Sequence, residues 1–231
     1  MADWLGPEGW QAVRLSLKVS LWAVAVSLPL GILVAYALAR WRFPGHGLLN
    51  GLVHLPLVLP PVVTGYLLLL TFGRRGWVGQ WLDGIGVVLA FRWTGAALAA
   101  AIMAFPLMVR AIRLAIDAVD PRLEQAASTL GAPRIWVFLT ITLPLILPGI
   151  LAGAILAFAK AIGEFGATIT FVSNIPGQTQ TLPSAIHAVL QVPGGEAEAA
   201  RLVAVAIVIA MAALFLSEWL SRLIARRIRG A

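Results

Sequence analysis

Residues 124–144 read EQAASTLGAPRIWVFLTITLP, and the placement of this stretch decides how the rest of the chain is read. It opens as a short polar helix pattern and passes through Gly131, Ala132 and Pro133 into a long apolar run. Another apolar run lies upstream at residues 94–112. Two runs buried in lipid gain nothing from a polar helix between them unless that helix stands outside the bilayer, gripped by something else. Small Ala126 and Ala127 let a helix lie close against another surface. Gly131 permits the turn out of it, Pro133 starts the next helix, and Pro144, well inside that helix, kinks it.

Composition supports a membrane setting. Of 231 residues 60% are hydrophobic and 12% charged, and the mean hydropathy is +0.92. A soluble domain is roughly a quarter charged, and a core of this size could not hide so much apolar surface from water. The net charge of +7 would suit nucleic acid, but in a bilayer protein Lys and Arg gather on cytoplasmic loops beside anionic lipid, so no nucleic-acid partner is expected. Cysteine is absent, which excludes disulfides, thiol catalysis and cysteine metal sites. The opening MADWLGPEGW is acidic and turn-rich, unlike the basic start of a secretory signal, so the first apolar run is expected to stay in the membrane.

Outward from the central stretch, the apolar pattern predicts five spans at about residues 15–39, 48–72, 94–112, 135–161 and 202–220. Pro56, Pro60, Pro61 and Gly65 break the second, which is therefore kinked or unwound. Residues 73–92 form a polar loop with room for a short amphipathic piece. Residues 164–199 are apolar only in short pieces and read as an extra-cytoplasmic loop plus a short helix, with a sixth span as the alternative. The whole chain, 1–231, is one all-α transmembrane domain. With five spans, one side collects Arg40, Arg42, Arg110, Arg113, Arg122, Arg134, Arg222, Arg226, Arg227 and Arg229. The other collects Arg14, Lys18, Arg74, Arg75, Arg92, Lys160 and Arg201. The richer side is cytoplasmic. The N-terminus is then outside, and residues 113–134 and the C-terminus are inside.

No catalytic constellation stands out. There is no GxxxxGK[ST] phosphate loop and no GxGxxG, and His46, His54 and His187 lack metal-ligand spacing. Two polar groups inside apolar sequence carry weight, because ionisable and hydrogen-bonding groups are costly there. Lys160 and Glu164 share a helix face; they form either a local ion pair near the membrane boundary or, through Glu164, a mouth or dimer contact of a path. Thr64 and Gly65 follow the double proline, which either merely bends a packed helix or frees backbone N–H groups toward an anion. Small and hydroxyl residues Thr64, Gly65, Thr168 and Thr170 are the candidate lining of such a path.

Gln125-Ala126-Ala127, three residues, Gly131, nine residues, then Ile141-x-Leu143-Pro144 resembles the EAA-x3-G-x9-I-x-LP signature of ABC-importer permeases. The departure is Gln125 at the usual Glu position, with Glu124 before it, which leaves open which acidic side chain meets the partner. LPLVLPPVVTGYLLL (55–69), GEFGATITFVSNIPGQTQTLPSAIH (163–187) and PGGEAEAARL (193–202) are similar to the molybdate permeases of bacteria over nearly the whole chain, with sulfate and thiosulfate permeases as the alternative. The resemblance implies a type I ABC-importer permease fold in the bacterial inner membrane, working as a homodimer that carries molybdate and tungstate. It implies two cytoplasmic ATPase subunits that bind ATP and Mg, leaving this chain without a cofactor or catalytic role, and a periplasmic oxyanion-binding protein. The coupling helix, residues 121–133, would present Glu124, Gln125, Ala126, Ala127, Gly131, Ala132 and Pro133 to an ATPase. A stand-alone channel or secondary transporter would more naturally carry acidic residues in mid-span, and almost none are present.

Overall fold

The structure is a computed structural model, and it describes residues 4–229. Among the described residues it is built from helices alone: α1 (Gly6–Arg40), α2 (His46–Val58), α3 (Pro61–Phe72), α4 (Trp77–Gly84), α5 (Trp93–Asp117), α6 (Pro121–Thr129), α7 (Arg134–Val137), α8 (Leu143–Ile162), α9 (Gly166–Val172), α10 (Leu182–Leu190) and α11 (Glu196–Arg229). A wide turn of π geometry, Phe138–Thr142, joins α7 to α8. The side chains of Arg222, Arg226, Arg227 and Arg229, counted above toward the cytoplasmic side, lie outside the described residues.

Helix α5 is the axis of the bundle, and its small residues explain why. Ala96, Ala99 and Ala100, then Met108, Val109, Ile112 and Ile116, are fully buried between α1 and α8. On α1 the buried positions Ala12, Ser16, Val19 and Ala23, and further on Gly31, Ala35 and Leu38, recur every three or four residues. From Val19 onward that stripe packs into the core around α5, while Ala12 and Ser16 face α10. Lipid is as apolar as leucine, so helices in a bilayer associate through close van der Waals packing, which small residues allow. Ile112 of α5 lies against Gly153 of α8 for this reason, and a Cβ on Gly149 would overlap Ala115. Helix α11 is at the rim, with Ile207, Val208 and Phe215 exposed toward what would be lipid.

Four stretches are each long and apolar enough to cross a membrane: Gly6–Arg40, Trp93–Asp117, Arg134–Ile162 and Glu196–Leu220. The second predicted span is more than kinked. Helices α2 and α3 meet at an angle of 115°, and this bent pair would supply the fifth crossing. Leu59 and Pro60 are extended at the corner, with ψ of 142° and 135°. Each precedes a proline, which pushes a residue out of the helical region. In the 29-residue stretch Arg134–Ile162 the break takes another form. Pro144 cannot donate to the carbonyl four residues back, and the π turn lies just before it, with the Leu143 N–H reaching Phe138 O. Such a widened turn is one of the known ways a helix accommodates a bend.

Residues 73–92 hold the short helix α4, as expected. Residues 164–199 differ from the expected loop plus helix. They contain two short helices, α9 and α10, and α9 is core: Ala167, Phe171 and Val172 are fully buried. A seven-residue apolar run flanked by turns carries no sign of burial in its own sequence. The burial comes from α3 and α5, against which α9 packs. A second, smaller core joins Leu5, Ala12 and Val13 at the start of α1 to Leu182, Ala185 and Leu202. The Leu182 N–H donates to Ser16 Oγ at 2.6 Å and pins the start of α10 there.

Candidate functional site

Helix α6 is made by local signals. Asp120 is its N-cap and accepts from the Arg122 N–H at 2.9 Å, and Pro121 takes the first helical position, where no N–H is needed. At the other end the Gly131 N–H donates to Ser128 O at 3.1 Å and the Ala132 N–H to Ala127 O at 3.3 Å. These paired bonds are the Schellman closure, which requires a left-handed residue; Gly131 supplies it with φ of +84°. A Cβ there would meet nothing within 4 Å, so within this chain the demand for glycine is conformational and not steric. The helix proper ends at Thr129, and residues 131–133 form the turn, with Pro133 as the N-cap of α7 rather than its first residue.

What α6 presents is unusual. None of its residues is buried; Gln125 and Ala126 are exposed, Ala127 and Ala132 half-buried, Pro133 exposed. Leu130 is 89% exposed, and Ile135 and Trp136 beside it are exposed too. Leu130 lies outside the apolar spans, whereas Ile135 and Trp136 open the stretch Arg134–Ile162, where exposed apolar and aromatic side chains suit the membrane interface. Glu124 faces the other way. Its Oε2 lies 3.4 Å from Arg40 Nε, and its Oε1 accepts from Thr142 Oγ1 at 2.7 Å. Beside the helix an open cleft of about 530 Å³, with mixed polar and apolar walls, is bordered by Tyr36, Pro121, Glu124, Gln125, Ser128, Thr129, Arg134 and Val137.

The path candidates come together in one place, the seam between α3 and α9. A Cβ on Gly65 would sit 2.5 Å from Ala167 O and 2.8 Å from Thr170 Cβ. The two backbones therefore touch, and this position needs glycine for space. Thr64 and Thr168 are buried. The Thr168 hydroxyl donates to Phe165 O at 2.8 Å and that of Thr170 to Gly166 O at 2.8 Å. Thr64 Oγ1 is buried with no hydrogen-bond partner in the structure. Glu164 closes the end of the seam: its side chain is 1% exposed, Oε2 is 2.9 Å from Lys160 Nζ, and Oε1 accepts from the Ala167 N–H at 3.0 Å. Of its two readings, the local ion pair is the one this geometry contains, and the carboxylate also favours the N-terminus of α9.

Arg40 and Thr142 were not singled out by sequence reasoning. Arg40 looked like one more cytoplasmic cation, and Thr142 lay unremarked inside the Ile-x-Leu-Pro element. A hydroxyl in an otherwise apolar turn was the available signal. The histidines bond to their own chain or stack on it: His46 Nε2 lies 3.0 Å from Leu38 O, His54 Nδ1 2.8 Å from Asn50 O, and His187 packs on Phe165 with ring centroids 5.0 Å apart.

The architecture is an apolar helical bundle with one exposed polar helix held out between two spans. The chain belongs to the binding-protein-dependent transport system inner membrane component family, whose model matches residues 27–230. It is similar to the molybdenum transport system permease protein ModB of Escherichia coli K12, at 63% identity over 218 residues, covering 94% of this chain and 95% of that one. To the protein of the same name from Haemophilus influenzae it is 56% identical over 212 residues, covering 91% and 93%. In fold it is similar to a crystal structure of a bacterial ABC transporter involved in alginate import, with a TM-score of 0.74 and 20% identity, covering 94% of this chain and 80% of that one. The chain is thus a multi-pass inner-membrane permease of the type I fold, a transport conduit and not an ATPase.

Proposed function

We propose that this chain carries molybdate, and tungstate with it, through the bacterial inner membrane as one half of a homodimer. Two cytoplasmic ATPase subunits, which bind the ATP and Mg, each receive one copy of α6, and a periplasmic oxyanion-binding protein delivers the anion from the other side. The N-terminus is outside and the C-terminus cytoplasmic, as the distribution of Lys and Arg favours. The single observation that carries the docking role is α6 itself, a well-capped helix with none of its residues buried, ending beside an exposed Leu130. The cargo rests on the likeness to molybdenum permeases across almost the full length of both chains.

Residues 1–231 act as a single permease domain. Gln125, Ala126, Ala127, Gly131, Ala132 and Pro133 shape the docking face, with Glu124 behind it. Thr64, Gly65, Glu164, Thr168 and Thr170 form a wall of the path: most of their polar groups are already satisfied within the seam, so a dianion meets few strong ligands and can leave. Selectivity then lies in the binding protein. The test is uptake and ATP hydrolysis by the assembled importer in liposomes, with binding protein loaded with molybdate, tungstate or sulfate. ATP-dependent uptake of the first two is expected. Uptake of sulfate alone would overturn the cargo, and uptake without ATP would overturn the mechanism.

A further inference from the structure

We propose that Arg40, Glu124 and Thr142 form a strut that makes α6 rigid with the bundle, so that a pull on α6 moves α1 and the π turn before α8 instead of only swinging the arm. The proposal rests on the reading of α6 as the ATPase-docking helix and assigns Glu124 the task of transmission, not of contact.

Three elements meet at one carboxylate. Arg40 ends α1 and grips the arm twice: Nη2 donates to Val119 O, just before α6, at 3.0 Å, and Nε lies 3.4 Å from Glu124 Oε2. The other carboxylate oxygen accepts from the hydroxyl of Thr142, the last residue of the π turn, at 2.7 Å. Thr142 is fully buried, and the side chains of Arg40 and Glu124 are 16% and 17% exposed. The Arg40–Val119 and Thr142–Glu124 contacts are charge-assisted hydrogen bonds, which are the strong ones. The Arg40–Glu124 contact is an ion pair, in which Nε makes no hydrogen bond.

The strut is needed because α6 has little else to hold it. None of its residues is buried, and turns flank it on both sides, at Ala118 to Asp120 and at Leu130 to Pro133. An arm hinged at two turns would yield to a pull without passing it on. With the strut, force applied at Gln125 and Leu130 reaches α1 through a guanidinium and the bent start of α8 through a hydroxyl. The π turn is the compliant part of that path. This also accounts for the acidic residue standing at 124 and not at 125: Gln125 is exposed, and Glu124 points into the bundle.

The test is the ratio of molybdate taken up to ATP hydrolysed by the assembled importer in liposomes, with the amount of ATPase that purifies with the chain measured alongside. Glu124→Gln and Arg40→Gln are each expected to keep the ATPase bound and to lower the ratio about fivefold or more. The double variant should fall no further than Arg40→Gln alone, because that change already removes the pairing with Glu124, and the amide oxygen introduced by Glu124→Gln can still accept from Thr142. Thr142→Val, which keeps every charge, should lower the ratio roughly two- to threefold and carries the test if the charge variants fail to insert. Wild-type ratios in these variants, or losses that multiply in the double, would overturn the strut. Loss of ATPase from the Glu124→Gln complex would overturn it too, by making Glu124 a partner contact. Gly131→Asp separates the two layers: if that variant keeps both the ATPase and the ratio, the docking reading fails, whereas an uncoupled Gly131→Asp beside a normal Glu124→Gln removes the strut alone.

Discussion

Along α6 no residue is buried and the polar and small side chains face outward, whereas along the α3–α9 seam Thr168, Thr170 and Glu164 are drawn into the protein and bonded to backbone of their own segment. The two regions use similar residue types for opposite ends. A hydroxyl or carboxylate in an apolar chain costs little if it is satisfied internally, and it then serves packing. A helix left unburied, with its ends capped and an exposed leucine beside it, serves a partner. Polarity in the sequence does not distinguish these uses; the destination of each hydrogen bond does. Glu124 is the exception that links them, a residue on the exposed helix with a satisfied, inward carboxylate.

The largest effect expected to sharpen this contrast is at the end of α6. Gly131→Val should insert normally but lower ATP-driven uptake at least tenfold, because the left-handed turn costs an L-residue about 1–2 kcal/mol and the bulk projects from the docking face. Gly131→Asn, which tolerates that conformation, should lose less; equal losses would show that bulk and not backbone decides. In the seam the change should appear first as stability. Gly65→Val forces a side chain against Ala167 O and should cost about 1–3 kcal/mol. Its thermal midpoint in detergent is expected several degrees lower, at roughly 2–4 °C per kcal/mol.

Lys160→Met should follow. It leaves the buried Glu164 carboxylate with one backbone N–H, a loss of about 2 kcal/mol in unfolding experiments. Adding Glu164→Gln should recover part of it, and a double variant as unstable as the two losses summed would argue against pairing. Thr64→Val is the smallest. Its hydroxyl has no partner, so stability should hold or rise slightly, while uptake should drop about twofold if that hydroxyl faces the anion. Unchanged uptake would take Thr64 out of the path.

Much of this architecture was legible in the chain. The spans follow from apolar run length, and the end of α6 is signalled locally by Gly131 before Pro133, while the Asp120 cap at its start emerged only with the structure. The prolines announced a break between α2 and α3 but not its 115° size, nor the close approach of Gly65 to Ala167, which lies far away in sequence. The burial of α9 was hidden for the same reason. Glu124 shows the limit most clearly. Its place in the signature pointed to a partner, and only the fold brings Arg40 and Thr142 within reach of its two oxygens.

The central claim, that α6 is where the ATPase meets the membrane chain, can be tested at one atom pair. The chain contains no cysteine, so Leu130→Cys gives a single reporter beside α6, and Val208→Cys, on the exposed rim of α11, gives its counterpart. Thiol-anchored photo-crosslinking in the assembled importer should join position 130 to the ATPase and leave position 208 unjoined. A crosslink to the ATPase from position 208, with none from position 130, would contradict the account.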